Sequence, residues 1–244
     1  MKTWIIGAAA LLAVAAPSVA AAQTGYVGGA YQRGDIENVG ETDAYGINGA
    51  VFFDATDRIG VEVDAAVLDS DDFDTVGSLA AHVFTRNDRY LFGGFAAVST
   101  SDGDTAWQVG VEHAKYFDRA TVGVSAAYGE AENDVEAYGL NVTGDYFVTD
   151  NARVGAHVGW ANVDTPGGDG DGWAYGVSGE YQLAATPVSF GLSYTRVDSD
   201  DAGLEADIAA VSVRYNFGGL TLLDRDRRGA SQGDRAGLGA FLGY

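Results

Sequence analysis

Glu62, Asp64, Glu112, Asp145, Glu180 and Arg214 are charged residues set inside short segments where apolar and polar residues alternate. A period of two places successive side chains on opposite faces of a strand. Parity therefore puts all six on one polar face, together with His82, Arg153 and His157. On the inner face of a closed sheet, these carboxylates could make a narrow acidic lumen that passes small solutes and favours cations. The same charges could instead pair with one another and fill the interior, and parity does not choose between the two. Catalysis at such a face would need a nucleophile activated by a neighbouring base. The chain offers only His82, His113 and His157 as imidazoles and has no cysteine and no G-x-S-x-G turn. Ser125 and Ser178 read as small residues of the polar face. His113 falls by parity on the apolar face, which points to a bulge or a shifted register. No catalytic residue, metal ligand set or cofactor is assigned, and an enzyme is the least favoured class.

The elements that must position these residues are short strands. Ile59–Ala65, Val122–Ala126, Trp173–Ser178 and Ala209–Phe217 alternate most clearly. Two kinds of punctuation separate such segments. Short breaks fall at 54–58, 85–89, 117–119, 149–153 and 184–187, about every 32 residues, a period that marks repeated hairpins. Longer acidic breaks fall near 34–44, 68–77, 98–106, 129–137, 161–172 and 197–207. The resulting strands span roughly 25–33, 44–54, 58–67, 76–85, 90–98, 106–117, 120–129, 137–148, 152–161, 172–183, 188–196 and 207–217. Each is close to the ~9–11 residues that cross a bilayer at a tilt. About twelve strands are predicted, with ten or fourteen as alternatives, and an even number returns both ends to one side.

Alternation alone also fits a soluble sandwich or barrel. Four features favour an antiparallel up-and-down transmembrane β-barrel instead. The acidic breaks lack Lys and Arg, while Arg58, Arg86, Arg89, Arg119 and Arg153 lie at the short breaks. Long loops on one side and short turns on the other are an outer-membrane pattern. Aromatic residues flank the strands: Phe53, Phe84, Tyr90, Phe117, Tyr146, Tyr181, Phe190, Tyr215 and Phe217 near the short breaks, and Tyr45, Trp107, Tyr128, Tyr138, Trp160, Trp173 and Tyr194 near the acidic ones. Two girdles at two interfaces account for that distribution. The polar face is rich in Gly and Ser, and the chain has only two lysines, too few for an ordinary solvated surface. Finally, no helical period runs through the body to cover the apolar face, so hydrocarbon must.

The N-terminus fits this placement. Lys2, the apolar run Trp4–Ala16 and the small residues before Gln23 form a secretory signal peptide, cleaved after Ala22. A formal charge of −21 argues against nucleic-acid binding. Asp69–Asp72 and Gly168–Gly172 are the best candidates for divalent cations, but neither has the spacing of a dedicated calcium loop, so a solvated acidic surface is the simpler reading.

Val211, Val213, Tyr215 and Phe217 form an apolar alternation that ends on an aromatic. It resembles the closing strand of Gram-negative outer-membrane β-barrel proteins, the porin-like family. The resemblance implies a bacterial outer-membrane location, an assembly signal at these four residues read by the barrel-assembly machinery, and passive transport of small solutes. In that family the chain usually ends at the aromatic, whereas here 27 residues follow Phe217. They include Asp224–Arg228 and the alternating end Leu238–Tyr244, the basis of the fourteen-strand alternative. The expected organisation is a signal peptide at 1–22, a barrel at 23–217 and a periplasmic tail at 218–244, whose arginines could dock on an anionic partner. A non-conducting barrel that displays acidic loops is the alternative to a pore. Outer-membrane lipid is the expected surrounding, and the oligomeric state is left open.

Overall fold

The computed structural model describes residues 24–72, 74–199, 204–219 and 221–236. Among them lie strands β1 (Thr24–Ile36), β2 (Gly40–Asp54), β3 (Gly60–Ser70), β4 (Val76–Arg86), β5 (Tyr90–Ser101), β6 (Asp104–Tyr116), β7 (Ala120–Ala131), β8 (Val135–Thr149), β9 (Ala152–Thr165), β10 (Gly168–Gln182), β11 (Val188–Ser199) and β12 (Leu204–Phe217). Each pairs antiparallel with its chain neighbours. β1 also pairs with β12, from Gly25 opposite Phe217 to Ile36 opposite Ala206, which closes the barrel. Closure pairs every edge, as hydrocarbon requires of exposed backbone groups. The twelve-strand expectation holds, and the ring leaves no place for two further strands. The signal segment and Leu238–Tyr244 lie outside the described residues.

Pleat parity sorts the side chains as alternation predicts. Phe92, Leu140, Leu192, Val211, Val213 and Tyr215 point outward and are exposed, Leu192 by 66%. Glu62, at 0%, and Thr121, Ser125 and Thr143 point inward. No described helix is long and apolar enough to cross a membrane.

Three expectations need correction. The acidic breaks are not long loops, because the strands run on through most of them. β5 and β6 are joined by Asp102 and Gly103 alone, both at positive φ (47° and 92°), where Asp-Gly is a favoured two-residue hairpin turn. Asp35, Glu41, Asp43, Asp164 and Asp169 sit on paired strand, since ladder bonds satisfy the backbone while the carboxylates stay hydrated. Phe84, assigned to the outer girdle, instead points inward and stacks on Phe52 at 5.9 Å between ring centroids. Around them Tyr26, Leu91, Tyr116 and Ala230 form a small apolar core at the short-turn end. His113 faces outward with no bulge, between Phe92 and Val124 of the adjoining strands. It lies one turn of the pleat from outward Lys115 and near the end of β6, where a polar tip reaches the interface. A register shift does occur elsewhere, between Phe147 and Thr149 in the β8–β9 pairing.

Candidate functional site

The six predicted lumen residues all face inward, but they fall in the lower half, toward the short turns. Glu62, Glu112, Asp145, Glu180 and Arg214 are buried, and Asp64 lies beside buried His82. His82 stands between two carboxylates, with Nε2 3.1 Å from Asp64 Oδ2 and Nδ1 3.0 Å from Glu112 Oε2. Both ring nitrogens thus face acids rather than a hydroxyl nucleophile. Across the lumen Arg153 holds Asp145 at 3.2 Å and Glu180 at 3.1 Å. Arg214 lies 4.5 Å above the Tyr26 ring, a placement that favours a desolvated guanidinium. Among the described residues, these inward wall carboxylates outnumber the wall guanidinium groups of Arg86, Arg153 and Arg214.

The chain itself supplies further partners for these carboxylates: the buried arginines Arg225 and Arg235 and a run of backbone N–H groups, which arrive with the tail's own Asp226 and Asp234. After Phe217, Gly218 and Gly219 take φ of 97° and 71°, a left-handed path that reverses the chain at little steric cost. Thr221 then caps a short helix, α1 (Leu222–Arg228), by accepting from the Asp224 backbone N–H at 3.1 Å. The sequence reading sets residues 218–244 outside as a periplasmic tail; the described part instead lays α1 across the short-turn mouth, on the carbonyls of Phe117, Ala120 and Asp150, and sends residues 229–236 into the lumen. Buried, unpaired carboxylates are costly, and cations that reach them relieve the cost. The anionic partner of the tail arginines is therefore the wall of its own lumen.

The contacts run across the tube. Glu62 on β3 accepts from the backbone N–H groups of Ser231, Gln232 and Gly233 at 2.9, 2.7 and 3.1 Å. The next residue, Asp234, receives both Nη atoms of Arg214 at 3.0 Å and Arg153 Nη2 at 3.4 Å. β3 and β9, which carry Glu62 and Arg153, are six places apart in the twelve-strand ring, so this short segment bridges opposite walls. Arg225 donates to both oxygens of Glu180, at 2.7 and 3.2 Å, and to Asn216 Oδ1. Arg235 pairs with Asp226 and reaches Asp145 at 3.3 Å, while Thr121 donates to Asp226 at 2.7 Å. Arg86 donates to the Gly229 carbonyl at 3.0 Å. Burial alone would raise the Asp234 carboxyl; the guanidinium groups of Arg214, Arg153 and Arg225 outweigh it and hold the group at about 2.

Above the tail the lumen is different. A cavity of about 550 Å³ has Gly233, Asp234, Arg153 and Arg214 in its floor and rises past Asn48, Ala66, Ser78, Ala97, Gln108 and Ser193 to Glu130 and Val135 near the acidic rim. Asn141 Oδ1, Thr143 Oγ1 and His157 Nε2 line the same space with no hydrogen-bond partner among the described residues. This half offers polar edges and small side chains but few charges. The closing-strand residues Val211, Val213 and Tyr215 face outward on β12, against the hydrocarbon. The tail contacts had one sequence signal, the excess of predicted inward carboxylates over arginines on the strands.

A family model described as Gram-negative porin matches residues 25–224. Among solved structures, the chain is similar to the COG4313 outer membrane channel from Pseudomonas putida F1, with a TM-score of 0.60 and 11% identity, covering 80% of this chain and 94% of that one. It is similar to the KdgM porin in complex with disordered oligogalacturonate, with a TM-score of 0.57 and 10% identity over 79% and 99% of the two chains. For the NanC porin the TM-score is 0.57 and the identity 8%, over 77% and 98%. At such identities the likeness concerns the fold alone. No curated protein sequence matches the chain.

Proposed function

Because the chain belongs to the Gram-negative porin family, it is a bacterial outer-membrane channel for small solutes, and we propose that its solutes are neutral or cationic. The observation that carries this reading is the cavity of about 550 Å³ whose walls, between a charged floor and an acidic rim, are mostly small and uncharged. A solute arriving there meets hydroxyl, amide and imidazole groups that can replace part of its hydration shell. Exposed Asp35, Glu41, Asp104 and Glu132 at the rim raise the local concentration of cations over anions, an effect that salt weakens. The alternating face and the exposed outer Val, Leu and Tyr side chains support a lipid surrounding, and outward β12 supports its reading by the assembly machinery. No catalysis is proposed, since His82 is held between two acids.

Planar-bilayer recording in a salt gradient tests the proposal. The expected result is a current whose reversal potential favours cations. An anion-selective current would overturn the preference, and silence from correctly folded protein would overturn the channel. The second reading, a barrel that does not conduct, draws on one observation: the tail spans the lumen from Glu62 to Arg153.

A further inference from the structure

Residues 221–236 are joined to the barrel and docked in it in two physically different ways. The joint is Gly218–Gly219, where both φ values are positive and side chains are absent. Such a pair can adopt other backbone conformations at low cost. The docking, in contrast, is made of charges and backbone hydrogen bonds. Among the described tail residues the fully buried apolar side chains are only Leu222, Ala230 and Ala236. Undocking therefore exposes little apolar surface. It exchanges Glu62, Glu180 and Asp234 contacts for water, which typically changes the free energy far less than the gross strength of those bonds. A segment meant as permanent filling would be expected to bury a larger apolar face.

The tail also sits where it matters for flow. Its residues 231–234 link opposite walls at one level, beneath a cavity that leads to the acidic rim. The wall groups it engages are those that would otherwise line the charged, short-turn part of the tube. Filled, that level presents carboxylates already engaged by arginines and backbone N–H groups. Emptied, it presents a wall with more carboxylates than guanidinium groups.

Resting on the channel reading, we infer that residues 221–236 are a displaceable plug: docked, they close the short-turn half of the lumen, and swinging out at Gly218–Gly219 they open it. The plug makes the conducting state a property of the chain's own C-terminal segment rather than of a surface loop.

The chain has no cysteine, so a tether can be added without background. Thr121→Cys with Asp226→Cys joins two positions whose side chains touch at 2.7 Å, and a short methanethiosulfonate crosslinker bridges them reversibly. In planar bilayers the bridged protein should show several-fold lower open-channel conductance or open probability than the same protein after reductant. Deleting residues 218–244 should give a larger conductance than the full chain and a reversal potential shifted further toward cations. Equal currents before and after reductant, with a conducting channel in both, would overturn the plug. If the deletion fails to fold, the crosslinked pair still decides. Silence from the bridged, reduced and deleted forms alike, all folded, would remove the channel reading itself.

Discussion

The two halves of this lumen are built from the same strands, yet they hold different chemistry. Toward the acidic rim the inward positions are Ala66, Ser78, Ala97 and Ser193, which leave space. Toward the short turns they are Glu62, Asp64, His82, Glu112, Asp145, Glu180 and Arg214, and that space is taken by the tail. The difference teaches that inward charge in a narrow barrel need not mean an open electrostatic filter. In a low-dielectric tube, unpaired carboxylates call for partners. Here the wall supplies some of them and the chain end supplies the rest. Small neutral positions call for none, so that half remains a cavity.

The comparison breaks most visibly at Glu62. Glu62→Ala leaves three tail N–H groups without their carboxyl acceptor, a loss of about 3 kcal/mol, or roughly a hundredfold in the docked equilibrium. Trypsin cleavage at Arg225–Arg235 in folded barrels should accelerate accordingly, whereas Ser193→Ala in the upper half should leave it unchanged. A smaller effect comes from Gly233→Leu, because any side chain there would overlap the Asp64 carboxylate. Overpacking costs of about 1–3 kcal/mol predict roughly tenfold faster cleavage, with the barrel's heat-modifiable gel shift intact.

Acid acts on the same docking contacts. Asp234 faces Arg214 on β12, Arg153 on β9, Arg225 on α1 and the Tyr26 hydroxyl on β1. Docked it titrates at about 2, whereas a free aspartate titrates near ~3.9. Its contribution to docking is thus complete above about pH 4 and lost as pH falls toward 2. Conductance should rise across that acid window, and Asp234→Asn should show the same rise already at pH 7. A conductance that falls on acidification would break the assignment. Last, Ser78→Trp in the upper half should lower conductance while tail cleavage stays within the ~0.5 kcal/mol scatter of a remote substitution.

Strand number, the alternation of faces and the inward set of Glu62, Asp64, Glu112, Asp145, Glu180 and Arg214 were legible, because each follows from a period of two repeated along the chain, whereas the strand ends at the acidic breaks were drawn too short. The tail was not legible, because its chemistry is a property of the closed ring. Glu62 and Gln232 are far apart in sequence and meet only once β1 and β12 pair. Residues 229–236 also carry no period that a strand or helix would impose. Asp102–Gly103 did mark a two-residue turn, but the acidity around it suggested a loop where paired strand continues. Phe84 was misplaced for a related reason: proximity to a strand end says nothing about which face the ring takes.

Placement of the tail inside the tube can be measured directly. Gln232 is buried beneath the cavity while Arg228, four residues earlier on the same segment, is exposed. In folded barrels, an impermeant maleimide should modify Arg228→Cys readily and Gln232→Cys far more slowly, with the difference vanishing on denaturation. Equally fast labelling of both in the folded state would contradict a tail seated across the lumen.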